Sequence, residues 1–411
     1  MHRFCGLAIA LVLGLSACTP PPEGIEIMTN GETPTAFSPP TTSTKAKPKP
    51  TIALPTPTGN IGDIKRRNLF NEAVRLTSSI VSPTLVESRF DTGSAGARML
   101  YKEGLIDDSP GGSDKLLDSV IRDYGYVTGV SIAREPSGDA TTTAILQNTV
   151  LIFKDEASAR AATEVGFRLR EERDPDRPTR VQTEEIPGFP EAKAFSRRVG
   201  EGQAVFAYTT AFAQMGPVVV RISVGQQSEA ESIEIIARYL TRQLAELDGF
   251  TPTPVDRLSS LTPPFDPDGS LLKLATDKTE FAPYGSGGVF DAKGALLFEA
   301  NIQLWADLYR NAGVDRLILD EAGEVIRAAD ETGAALLLEK ARPEFLSRKG
   351  YEPTDAPNTV TSANCLQYVS SPPVDDPLQR CLFMRGRYVT LVEGLRSVIG
   401  QRAQDRWNRL G

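Results

Sequence analysis

The sequence predicts an α+β protein built from two repeated domains, each an antiparallel sheet packed with helices, after a signal peptide and a disordered stalk. Three observations predict it. Helical and strand-type apolar spacing alternate along the chain. The order helix, strands, helix, strands, helix occurs twice, with a period of roughly 180 residues. A proline-rich stretch, 251–268, parts the two copies. The divisions are 1–17, 18–60, 61–250, 251–268 and 269–411.

Residues 1–17 carry one cation, Arg3, then an apolar run from Leu7 to Leu15. That is signal-peptide length, and a permanent membrane helix needs about 20 apolar residues. Small residues Ser16 and Ala17 precede Cys18. Leu15-Ser16-Ala17-Cys18 resembles the lipobox of bacterial lipoproteins. The resemblance implies a diacylglycerol on the Cys18 thiol, cleavage before Cys18, and location on the extracytoplasmic face of the cell membrane. One acyl chain anchors only marginally, and two or more hold stably. Residues 19–60 contain ten prolines and ten threonines. Such a composition buries no core and reads as an extended stalk.

In the first repeat, a helix covers about Lys65 to Ser78. A strand is expected at Thr84 to Phe90, leading into Asp91-Thr92-Gly93-Ser94. A helix from Ser113 places Leu116, Leu117, Val120, Ile121 and Tyr124 at core spacing and stops at Gly125. Strands follow at Val127–Ala133 and Thr141–Phe153. Asp155 caps a helix to about Arg170. Strands come next at Ala192–Arg197, Ala204–Ala213 and Pro217–Val224. Ser228 and Glu231 form a capping box for the closing helix, with Ile233, Ile236, Leu240, Leu244 and Leu247 on its apolar face.

The second repeat matches the first piece by piece. Leu304, Trp305, Leu308 and Tyr309 before Gly313 correspond to the helix before Gly125. Ala335 to Glu339 is expected as a strand equivalent to Val150–Phe153, with a short helix near Pro343 to Lys349. The strand of Cys365 corresponds to that of Phe195, and Cys381-Leu382-Phe383 to Phe206-Ala207-Tyr208. Gly386-Arg387-Tyr388-Val389-Thr390 corresponds to Gly216-Pro217-Val218-Val219-Val220. Arg396 to Leu410 closes the repeat.

Composition excludes several functions. The chain holds 45 Lys and Arg against 53 Asp and Glu, a net charge of −8, and loss of Arg3 with the signal makes it more acidic. Nucleic acid, which requires a basic face, is not an expected partner. The single histidine, His2, lies in the signal. Histidine-based triads and histidine-ligated metals are therefore excluded from the mature chain. No cofactor or metal is expected. Cys5 is lost with the signal. With Cys18 acylated, Cys365 and Cys381 remain as one even pair in an oxidising compartment, and a disulfide between them is the economical reading.

Several motifs carry chemical potential beside a plainer reading. Phe90-Asp91-Thr92-Gly93-Ser94 resembles the active-site turn of aspartic proteases. That chemistry needs a second carboxylate, and the corresponding Ala275-Thr276-Asp277-Lys278 lacks the glycine. A backbone-bonding turn at Asp91 is the preferred reading. Asp266, Asp268 and Ser270 have calcium-loop spacing, but Leu271 and Asp277 stand where glycine and glutamate belong. Gly111-Gly112-Ser113 and Gly285-Ser286-Gly287-Gly288 lack the lysine of a phosphate loop. Trp305 and Tyr309 could line a ligand pocket, but their helical spacing beside Leu304 and Leu308 favours a place in the core. The run Arg168–Arg180 alternates sign as a solvated segment does.

The lipobox, the stalk, the Asp91-Thr92-Gly93 turn, Gly288-Val289-Phe290-Asp291-Ala292-Lys293-Gly294-Ala295-Leu296-Leu297-Phe298, Ala312-Gly313-Val314-Asp315-Arg316, Cys365 and Gly386-Arg387-Tyr388-Val389 together resemble a group of actinobacterial envelope lipoproteins of unknown function. The units are also similar, by fold analogy alone, to extracellular sensor domains of actinobacterial receptor kinases. The resemblance implies one functional residue, the lipid acceptor Cys18. The expected role is non-catalytic binding or scaffolding in the envelope. Its partners are the membrane through Cys18 and an unidentified envelope ligand or protein. The alternatives are a carboxylate-dependent hydrolase using Asp91 and a lipid or small-molecule carrier.

Overall fold

The computed structural model describes residues 55–92, 96–101, 123–137, 144–171, 181–199, 206–275, 287–299, 301–370 and 372–411. Cys18, the signal, the stalk up to residue 54 and nearly all of the helix expected from Ser113 lie outside the described residues.

The first repeat is a seven-stranded antiparallel sheet. Its order is β1 (Arg98–Met99), β2 (Tyr126–Arg134), β3 (Ile145–Phe153), β7 (Val218–Gln226), β6 (Phe206–Met215), β5 (Lys193–Val199) and β4 (Val181–Glu184). The second sheet runs β8 (Gly288–Asp291), β9 (Arg316–Asp320), β10 (Gly323–Arg327), β14 (Tyr388–Leu395), β13 (Leu378–Arg385), β12 (Asn364–Tyr368) and β11 (Tyr351–Thr354). The strand order is the same in both, which is the structural content of the duplication. In each repeat a three-strand meander meets a four-strand meander through its last strand. β3 and β7, at the centre, are buried along their whole length, as runs rich in Val, Ile and Leu require.

Eight helices are described: α1 (Arg66–Thr77), α2 (Glu156–Glu171), α3 (Glu229–Leu247), α4 (Val255–Leu258), α5 (Ala292–Ala295), α6 (Ile302–Ala312), α7 (Glu331–Leu346) and α8 (Arg396–Leu410). Polar side chains start several of them. Asp155 accepts from Ser158 N at 2.7 Å ahead of α2, Asp330 from Gly333 N at 2.8 Å ahead of α7, and Asn301 from Leu304 N at 3.2 Å ahead of α6. Helix α6 stops at Gly313 in the left-handed conformation. In the first repeat α1 and α3 lie on one face of the sheet and α2 on the other. In the second, α8 covers one face and α7 the other, with α6 packed on α7.

The two repeats share one core. A single apolar cluster contains Phe70, Phe90, Val130 and Ile222 from the first repeat and Phe290, Tyr309, Leu317 and Leu337 from the second. Residues 251–268 are stitched to α1 rather than left loose. Asn68 Nδ2 donates to Leu258 O at 2.8 Å, Asn71 Nδ2 to Leu261 O at 3.1 Å, and the buried Glu72 accepts from Thr253 N at 2.7 Å. At the start of the described chain, Tyr124 Oη donates to Pro55 O at 2.6 Å, and Thr58 and Ser158 hydroxyls pair at 2.9 Å.

Two expected strands are corrected. Thr84 to Phe90 is not a strand: Pro83–Leu85 forms a 3-10 turn, begun by the proline, and Thr84 Oγ1 closes the loop on Phe90 O at 2.7 Å. Ala335 to Glu339 lies inside α7, which begins at Glu331 and is the counterpart of α2. Its Ala334, Leu337 and Ala341 are buried at helical spacing, and the strand equivalent to β3 is β10. The capping box is half formed. Ser228 accepts from Glu231 N at 3.2 Å, but the Glu231 carboxylate pairs with Arg89 at 2.6 Å. The buried face of α3 is also rotated from the expected one. Ile235, Tyr239 and Gln243 are buried, whereas Ile233 and Leu244 are only partly so.

Candidate functional site

The most unusual surface of the first repeat is the face of its sheet that carries α2. Phe167 of α2 packs on Phe195 and Phe195 on Phe212, at centroid distances of 6.2 and 6.5 Å. Beside this aromatic cover the sheet turns polar. Ser131, Thr149, Arg221 and Phe212 are lateral neighbours across β2, β3, β7 and β6. The next row holds Gln147, Ser223 and Thr210. Hydroxyls of Ser131 and Thr149 pair at 3.0 Å, Gln147 Nε2 donates to Ser131 Oγ at 3.0 Å, and Thr210 and Ser223 pair at 3.0 Å. Arg221 is 6 % exposed, and burial pushes its guanidinium down to about 10, so it stays a cation at neutral pH. Aligned on turn glycines 216 and 386, the row Ser131, Thr149, Arg221, Phe212 becomes Leu319, Glu324, Leu391, Leu382 in the second repeat. The same scaffold thus carries a buried cation in one copy and leucine in the other. The sequence signal was a charge inside the apolar strand expected at Pro217–Val224.

The opposite face holds a polar chain that runs into the second repeat. Gln243 Oε1 accepts from Asn148 Nδ2 at 2.7 Å and from Val81 N at 2.9 Å. Arg134, buried on β2, donates to Glu299 O at 2.9 Å, and Tyr309 Oη donates to Glu299 Oε1 at 2.6 Å. Trp305 meets Tyr309 edge to face at 5.8 Å. Both aromatics are buried in the shared core, so their place is the seam between repeats.

The residues singled out from sequence fall as follows. Cys365 and Cys381 face each other across β12 and β13 and form a disulfide, buried beneath α8. Cys18 lies outside the described residues. Asp91 is a turn residue: its oxygens accept from Ser137 N and Ser137 Oγ at 2.8 Å each. Burial works to raise its carboxyl, but hydrogen bonds from Ser137 and Thr92 outweigh it and hold it below the ordinary value. Gly93 and Ser94 lie outside the described residues. Asp266 caps the 3-10 turn Leu272–Leu274 by accepting from Leu271 N and Leu272 N at 2.9 Å each. Asp268 accepts from Ser270 N at 3.1 Å. Among the described residues no three His, Cys, Asp or Glu side chains form a metal-holding group. Asp277, Gly111–Ser113, Gly285–Ser286 and the side chains of 168–180 lie outside the described residues. No helix among the described residues is long and apolar enough to cross a membrane.

Two seven-stranded antiparallel sheets of one topology, joined by a common core, define a duplicated α+β protein. Residues 65–263 match the N-terminal and residues 271–403 the C-terminal part of a domain of unknown function, DUF7373. The chain belongs to the DUF7373 family. No curated protein matches it. Among solved structures it is similar to the extracellular domain of PknH from Mycobacterium tuberculosis, at 14% identity and a TM-score of 0.30, over 42% of this chain and 96% of that one.

Proposed function

We propose that the protein is a lipid-anchored, extracytoplasmic binding or scaffolding protein of the cell envelope, without catalytic activity. The carrying observation is the continuous core through both repeats, pinned by Arg134, Glu299 and Tyr309. Such a body holds two sheets in one fixed geometry, which suits presenting surfaces to a partner. The disulfide fits an oxidising compartment. The Leu15-Ser16-Ala17-Cys18 stretch supplies the anchor. The test compares the native chain with Cys18→Ser by detergent phase partitioning and by cross-linked co-purification from envelope membranes. The reading expects the native chain in the detergent phase with a reproducible envelope partner, and the variant in the aqueous phase. Hydrolysis of ester, peptide or glycoside substrates that is abolished by Asp91→Ala would overturn the non-catalytic part.

A further inference from the structure

One end of the second sheet carries an arginine row that its twin lacks. Arg316, Arg327, Tyr388 and Arg385 are lateral neighbours across β9, β10, β14 and β13. Arg387 sits in the adjoining hairpin turn. Aligned on Gly216 and Gly386, the same positions in the first repeat are Thr128, Ile152, Val218 and Met215, with Pro217 in the turn. The cations are therefore particular to the second repeat. Like charges directly opposite on neighbouring strands are destabilising, and Arg316 and Arg327 are such a pair.

Among the described residues two carboxylates border the row: Asp291, the lateral partner of Arg316, spends its oxygens on Gly294 N and Ser78 Oγ, and Asp315 precedes Arg316. Arg327 grips Asp315 through Nε at 2.8 Å and Nη2 at 2.6 Å. Among the described residues Arg316 donates to two carbonyls, Phe265 O at 3.2 Å and Asp315 O at 2.7 Å. Arg385 donates to Trp407 O. The exposed Arg387 side chain has no hydrogen bond or ion pair among the described residues; it lies 5.8 Å from the Tyr388 ring centroid. Arg316 and Arg385 rest similarly on Phe265 and Trp407, at 5.5 and 4.8 Å. The Asp266 carboxylate is spent on the Leu271 and Leu272 amides. Burial works to raise Asp315. The hydrogen bond from Arg327 and the charges of Arg327, Arg316 and Arg387 outweigh it and lower it. The aromatic supports fix the forks without neutralising them.

We propose that this row is an anion-binding site that takes a phosphate group. A planar guanidinium presents paired donors that match phosphate oxygens, and several together suit a multiply charged anion better than one carboxylate. The acidic average of the chain conceals this local excess. The phosphate could come from a soluble compound or a lipid headgroup, and the test separates them. The full chain bearing Cys18→Ser is titrated with inorganic pyrophosphate by calorimetry. It is also sedimented with phosphatidylcholine vesicles with and without phosphatidylinositol. Saturable binding to pyrophosphate assigns a soluble source, and binding to phosphatidylinositol vesicles alone assigns a headgroup; either supports the site. Arg387→Gln and Arg316→Gln should each weaken binding about tenfold, one charge-assisted hydrogen bond each. Arg160→Gln, on the first repeat, should leave it unchanged. Thermal midpoints of the variants check the fold, and Arg387, exposed and without a hydrogen bond or ion pair among the described residues, gives a variant that keeps it. Failure of both probes, or equal binding by the wild type and both row variants, overturns the proposal. The lipid anchor is untouched by either result.

Discussion

Arg406 of α8 places Nη2 2.8 and 2.7 Å from the two carboxylate oxygens of Asp320 on β9, and the arginine is wholly buried. The first repeat solves the same helix-to-sheet junction differently. There the buried polar groups of the closing helix are Tyr239 and Gln243 of α3, and Gln243 accepts from Asn148 of β3 at 2.7 Å. Removing one member of a buried ion pair strands the other charge at a cost of about 3–5 kcal/mol. Arg406→Met should therefore lower the denaturant midpoint severely. Adding Asp320→Leu should recover most of the loss, since well-packed apolar replacements of buried pairs are often neutral. A double-mutant cycle reads the coupling.

The disulfide should act on the second repeat. Its partners are separated by 16 residues, for which chain entropy gives roughly 3 kcal/mol. Cys365→Ala with Cys381→Ala should lower the unfolding free energy by that order and the thermal midpoint with it, and reductant should then have no further effect on the variant.

Gly216 and Gly386 open equivalent two-residue hairpin turns, both at φ +54. Nothing lies within 4 Å of a Cβ added at either. Alanine should cost about 1–2 kcal/mol at each site through backbone conformation alone. Equal losses in chemical denaturation would reflect equal roles in the two repeats. A large loss at one and none at the other would refute the equivalence.

Asp91 gives a pH signature. Its folded-state carboxyl is lowered, so its stabilising contribution is present above the ordinary aspartate value, about 3.9, and is lost as pH falls through the folded value. Asp91→Asn should reduce the stability difference between neutral and acid pH, measured by denaturant unfolding at each. An unchanged difference would contradict the turn role.

Much of the fold was legible because the signals were local. Ser228 announced α3, Asp155 announced α2, and Gly216 with Gly386 announced the duplication. The helix α7 was obscured because Ala-Leu-Leu-Leu reads as readily as a buried strand and Pro343 suggested a break. Asp330, its cap, was the overlooked signal. The rotation of α3 follows from tertiary demand: Gln243 turns inward to bond Asn148 and Val81, which no helical spacing reveals. The two cation features went unread for one reason, although Arg221 stood as a charge inside an apolar strand. Arg221 and the row Arg316, Arg327, Arg385 become distinctive only when strand register sets them beside neighbours and beside the other repeat.

The central claim is a lipid anchor at Cys18, and intact-mass spectrometry of the protein extracted from its own envelope tests it most directly. The account predicts a chain that starts at Cys18 and carries the added mass of a diacylglycerol or more. A chain cleaved elsewhere with no acyl mass, or one retaining residues 1–17, would contradict it.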